Sequence, residues 1–216
     1  KMVIYKNSDS KYSKEVLNFK KKPNMATMIN NICDFLPRTL KIIEHLTYCL
    51  REGRKILMLS DRREHLKVLH ELIPKIDDGK YTCGFYLGGM KEKDLQETET
   101  KDVILGTFMM ASEGFDCKYP LDTIFLTSPK SNIEQAVGRI LRQEAKDRKF
   151  TPLIYDIADD FSLFAKQKLK RVAFYNKNNY KIKFYDNDNK EIEVVVPSSS
   201  KGGRKNKKDV ELEFLD

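Results

Sequence analysis

The sequence has no CxxC pair, and its three histidines and four cysteines stand at no spacing that would close a zinc site. Cys33, Cys49, Cys83 and Cys117 lie 16, 34 and 34 residues apart, mostly in apolar runs. They read as reduced core thiols of an intracellular protein, the host cytoplasm and virion being the places to look if the source is a virus. No apolar stretch approaches the roughly 18 residues a membrane helix needs, and no signal-peptide pattern appears, so no membrane partner is expected. There is no GxGxxG turn, which argues against a dinucleotide or nucleotide-sugar enzyme. Equally, none of the ten glycines opens a GxxxxGK[ST] phosphate loop. The first residue is Lys1 rather than Met, so the chain reads as a piece of a longer protein.

Within 216 residues, Lys and Arg number 40 against 32 Asp and Glu, a formal charge of +8. That balance favours polyanionic partners, although many soluble domains carry as much charge without one. Residues 1–29 are Lys-rich with little periodicity and read as a linker or N-terminal extension holding one short strand near Met2–Tyr5. From Asn30 to Leu50 apolar residues recur at helical spacing, with a break expected near Pro37.

Short apolar runs then alternate with helical patterns. KILMLS (55–60), CGFYLG (83–88), DVILGT (102–107), DTIFLT (122–127) and PLIYDI (152–157) are each separated by a polar or amphipathic segment. Continuous apolar strands divided by helices predict parallel strands buried on both faces: a doubly wound α/β core of five strands over residues 30–168. Residues 169–196 read as a helix end plus a hairpin turning near Asn187–Asn189. Residues 197–216 begin PSSSKGGRKNKK, too polar to build a core, and read as a basic flexible tail.

The strongest chemical signal is NIEQAVGRILRQ. At 100° per residue, Gln135, Arg139 and Arg142 fall in one narrow stripe, while Ile133, Val137, Ile140 and Leu141 fall on the opposite side. Two guanidiniums and an amide would then share an exposed face at the carboxyl edge of a parallel sheet, where ligands bind. Arginine suits phosphate because its planar fork donates bidentate hydrogen bonds and stays charged.

The motif has company. QAVGRILR resembles motif VI of superfamily 2 helicases, and DVILGTFMMASEGFDCKYPLDTIFLTSP (102–129) resembles motif V. RKILMLSDRREHL (54–66) resembles motif IV, and YLGGMK (86–91) resembles the Gly-Gly loop that follows it. All four occur in the family's order. The GGMK loop, ILGTFMMASEGFD and the KRVAFY helix after FSLF are most similar to helicases of large DNA viruses, related to poxvirus transcript-release helicases.

The resemblance implies a C-terminal RecA-like lobe. In it Arg142 would be the arginine finger, with Arg139 beside it and Gln135 supporting the nucleotide or water. Gly114 and Asp116 would lie at the nucleotide, Asp116 near the ribose hydroxyl. Ser60, Arg62, Gly89, Lys91 and Thr107 would face the DNA or RNA backbone, with Thr107 equally readable as a helix N-cap and Asp116 as a turn carboxylate. No aromatic cluster is spaced as an evident base-stacking platform, so contacts should go mostly to backbone. The phosphate loop and DExx acidic pair belong to the family's first lobe, which would hold most of the ATP and Mg2+. On this reading the chain alone hydrolyses no ATP; the competing reading is a non-catalytic nucleic-acid-binding module.

Overall fold

The computed structural model describes residues 1–113, 115, 117–139, 149–195 and 213–214. The strands are β1 (Met2–Tyr5), β2 (Ile56–Leu59), β3 (Cys83–Tyr86), β4 (Val103–Gly106), β5 (Thr123–Leu126), β6 (Leu153–Asp159), β7 (Phe184–Tyr185) and β8 (Glu191–Ile192). They form one sheet in the order β3-β4-β2-β5-β6-β1-β7-β8, parallel throughout except for the β7–β8 hairpin. The five expected core strands are all present, and they stand side by side.

Helices cover both faces: α1 (Ser10–Ser13), α2 (Met25–Asp34), α3 (Leu36–Arg51) and α4 (Arg63–Leu72), then α5 (Glu92–Glu99), α6 (Phe108–Glu113), α7 (Glu134–Gly138) and α8 (Ser162–Lys177). Strand alternation sorts the core. Met58, Leu105, Phe125 and Ile157 pack with Ile32, Ile42, Leu46 and Leu69 from α2–α4. Leu57, Leu59, Ile104 and Ile124 pack with Phe108, Ala136, Val137 and Val172 from α6–α8. The break near Pro37 is real: Phe35 is extended between α2 and α3, and Pro37 sits in the first turn of α3, where a missing N–H costs nothing.

The segment 1–29, read as a linker, contributes more than that. β1 is wholly buried and pairs with β6 from Met2↔Asp156 to Tyr5↔Asp159, so it lies inside the sheet. The short strand expected near Met2–Tyr5 is therefore present, but a run of four residues cannot show from periodicity that it lies inside the sheet. The expected boundary at residue 168 falls within α8, and the 169–196 hairpin joins the same sheet through β1. β9 (Val194–Val195) pairs with β10 (Glu213–Phe214); the rest of the expected basic tail lies outside the described residues.

Candidate nucleotide and nucleic-acid site

Parallel strands deliver their carboxyl ends, and the loops that follow, to one edge. There the loops after β2, β3 and β5 are joined. The Asp61 N–H donates to Ser128 Oγ at 2.8 Å, Lys130 Nζ meets Asp61 at 2.9 Å, and Arg63 Nη2 donates to the Gly88 carbonyl at 3.4 Å. Lys130 also stands over the Phe108 ring, 5.4 Å from its centroid.

The residues expected to face nucleic acid divide into two sets. Gly89 and Lys91 are exposed, and Gly89 has φ +89 with nothing near a notional Cβ, so the Gly-Gly loop offers open backbone to a ligand. Ser60, by contrast, is 0 % exposed. Its hydroxyl accepts from the Arg62 N–H at 3.2 Å and contacts His65 Nδ1 at 3.2 Å, so it holds the loop from beneath rather than facing outward. Arg62 is half-buried; it donates to Asn30 Oδ1, to the Ala26 carbonyl at 3.2 Å and to the Asp61 carbonyl at 3.2 Å, tying the loop to α2. Thr107 Oγ1 accepts the Met110 N–H at 3.3 Å, so the N-cap alternative describes it in this structure.

α7 presents the expected two faces as far as the described residues reach. Ile133, Ala136 and Val137 are buried against the sheet, and Gln135 is exposed. Arg139 donates through Nε to the Ala111 carbonyl at 2.5 Å and through Nη2 to the Ser112 carbonyl at 2.8 Å. These carbonyls lie in the last turn of α6, where helix carbonyls lack intrahelical donors. Arg139 thus joins α7 to α6. Arg142, Gly114 and Asp116 lie outside the described residues.

Two buried ion networks beneath this edge have no counterpart in the sequence reading. Arg38 of α3 is 0 % exposed and grips Asp159 at the end of β6 with Nε at 2.7 Å and Nη2 at 2.9 Å. Its Nη1 donates to the Thr127 carbonyl beyond β5 at 2.7 Å, and Tyr12 Oη donates to Asp159 at 2.8 Å. Burial alone would lower the Arg38 pKa; the Asp159 charge, the nearby Tyr12 hydroxyl and the hydrogen bonds to Asp159 together outweigh it, so the pKa is raised. On the other face Arg171 Nε bonds Asp156 at 2.8 Å while Nη1 donates to the Lys130 carbonyl at 2.7 Å, and Tyr175 Oη donates to Asp156 at 2.9 Å. Both arginines therefore clamp the chain just past β5. The signal available was weak: a charged residue at helical spacing ordinarily reads as surface.

No family model matches this chain. It is 37% identical over 165 residues to a mimivirus protein, "Putative ATP-dependent RNA helicase L396" of Acanthamoeba polyphaga mimivirus, an alignment covering 76% of this chain and 31% of that one. It is 33% identical over 95 residues to African swine fever virus "Putative ATP-dependent RNA helicase QP509L" (isolate Tick/South Africa/Pretoriuskop Pr4/1996), covering 44% of this chain and 18% of the relative. The chain is a helicase-like domain homologous to these viral proteins. It spans about a third of the first relative's length and under a fifth of the second's. Among solved structures, T4 UvsW matches with a TM-score of 0.61 at 19% identity over 86% of this chain and 41% of UvsW. Mss116p DEAD-box helicase domain 2, solved on an RNA duplex, matches at 0.53 and 11% identity over 92% of this chain and 64% of that one. The RecA-like fold and the kinship with helicases of large DNA viruses, both expected from the motifs, are borne out. No described helix is long and apolar enough to cross a membrane.

Proposed function

We propose that this domain is the C-terminal motor lobe of an ATP-dependent helicase or translocase, completing from one side a nucleotide site held chiefly by another lobe. The observation that carries this reading is α7. Its apolar side is buried in the sheet, Gln135 is exposed, and Arg139 is locked to the helix after β4. On this reading Arg142, three residues further along the same motif, would be the phosphate donor. Arg142 would neutralise charge developing on the transferred phosphoryl group; Arg139 would hold the helix in register, and Gln135 would orient nucleotide or water. Gly114 and Asp116 would border the nucleotide, Asp116 at the ribose.

The donor set fits only part of the ligand. A triphosphate needs a backbone cradle, which the sequence lacks, and no cluster of three His, Cys, Asp or Glu suited to a metal occurs among the described residues. Mg2+, which neutralises phosphate charge when bound, would therefore be held by the other lobe in this scheme.

The grip on a DNA or RNA backbone would come from Gly89 N–H, Lys91 and Arg63, with Ser60, Arg62 and Thr107 shaping the loops that present them. ATP-driven closure between lobes would alternately tighten and release that grip. The test is Arg142→Ala in the intact protein. ATPase activity should fall by about 10³-fold or more, as for other arginine fingers, with single-strand binding retained. Unchanged ATPase activity removes the finger, and absence of any ATP coupling in the wild type favours the binding-module alternative. The isolated domain should not hydrolyse ATP.

A further inference from the structure

The segment LNFKKKPN, read from sequence as part of a linker, is an ordered turn. Asn18 N–H donates to the Lys22 carbonyl at 2.8 Å, and Lys21 N–H donates to the Asn18 carbonyl at 2.9 Å. Asn18 Oδ1 accepts the N–H groups of Lys20 at 2.9 Å and Lys22 at 3.2 Å, and a Leu17↔Pro23 bridge closes the base. The turn needs no help from Phe19, whose ring is 90 % exposed at its tip. Lys20, Lys21 and Lys22 are exposed around it, and Lys20 Nζ stands 5.4 Å from the ring centroid. No acidic residue occurs between Glu15 and Asp34.

The position of the turn narrows its purpose. It leads directly into α2, capped by Asn24, and α2 is what Arg62 of the strand-end loop holds through Ala26 and Asn30. An exposed aromatic flanked in sequence by three exposed lysines thus leads into the helix that the loop after β2 holds.

We propose that the Asn18–Lys22 turn is a single-strand contact in which Phe19 stacks on an unpaired base and the lysines neutralise the flanking phosphates. This rests on the reading that the lobe grips nucleic acid, and adds a base contact to a grip otherwise made to backbone. Charge complementarity selects a polyanion, since three adjacent cations are exposed in a stretch, residues 16–33, that contains no acidic residue. The ring selects an unpaired strand, because only there is a base face open for stacking.

The test uses the intact protein, a fluorescein-labelled oligoadenylate and an abasic strand of equal length, read by anisotropy. Phe19→Ala should weaken oligoadenylate binding by about 5- to 100-fold and leave abasic binding unchanged, with Phe19→Tyr restoring it. Replacing Lys20, Lys21 and Lys22 by Ala should weaken both strands alike and reduce the slope of log affinity against log salt by about 2. Quenching of a 2-aminopurine base in the wild type, lost in Phe19→Ala, is the expected spectroscopic mark of stacking. Oligoadenylate binding unchanged in Phe19→Ala overturns the proposal while leaving the nucleic-acid reading intact. So does equal loss on both strands, or a Phe19→Ala defect confined to anionic phosphatidylserine vesicles or to thermal stability. Failure of the wild type to bind either strand overturns both readings.

Discussion

Arg38→Met should be the most destabilising conservative change in the described core, and it bears on the site because Arg38 fastens the ends of β5 and β6 together. The substitution keeps an apolar stem of similar length but leaves Asp159 buried with only the Tyr12 hydroxyl, and removes the donor to the Thr127 carbonyl. Breaking one side of a buried, hydrogen-bonded ion pair costs about 3–5 kcal/mol, against a total stability of about 5–15 kcal/mol for a domain. At this size each kcal/mol is worth about 2–4 °C, so the midpoint of thermal unfolding should fall by about 6–20 °C. A urea titration of the wild type, Arg38→Met, Asp159→Leu and the double variant closes a double-mutant cycle. The double variant should be much more stable than the summed single losses imply, because no charge is then stranded. A loss below about 1 kcal/mol for Arg38→Met, or additive single effects, would refute the claim that this pair is tightly coupled in the folded state.

Acid should weaken the fold early. Burial, then the Arg38 charge, lowers the His65 pKa from 6.5 to about 3; burial chiefly lowers that of His45 to about 4. Both imidazoles are neutral when folded and bind protons more readily when unfolded, so their contribution is complete above pH 6.5 and is lost as pH falls towards those values. At pH 5 the loss should be about 2 kcal/mol for each, read as a drop in the urea midpoint between pH 7.5 and 5. A flat profile, or one unaltered by His65→Gln, argues against buried neutral imidazoles as the cause. Thr107→Ala should cost about 1 kcal/mol by uncapping α6, with Thr107→Ser recovering it; equal stabilities would deny the cap.

The sequence by itself determined the doubly wound core and its kinship. Of its five apolar runs, β2, β4 and β5 are buried throughout and β3 and β6 in part, so each announces a strand without reference to anything distant, and the polar and apolar sides of 133–139 follow from local periodicity. Even the break at Pro37 is a local property of one ring. Tertiary structure alone decided the rest, because it depends on partners far along the chain. Arg38 and Asp159 stand 121 residues apart, and a charged residue inside a helix carries no local mark of burial. β1 entered the sheet because β6 and β7 offer it two edges, which no window of four residues can reveal. Ser60 turned inward because its hydroxyl meets His65 and the Arg62 amide, although its place at a strand end matched that of an outward-facing hydroxyl. The Lys-rich 18–22 segment has too little apolar periodicity to register as structure, yet hydrogen bonds to Asn18 shape it into a turn that holds Phe19 in solvent. Periodicity records which side of an element is greasy; only the assembled fold records which charges and hydroxyls found each other.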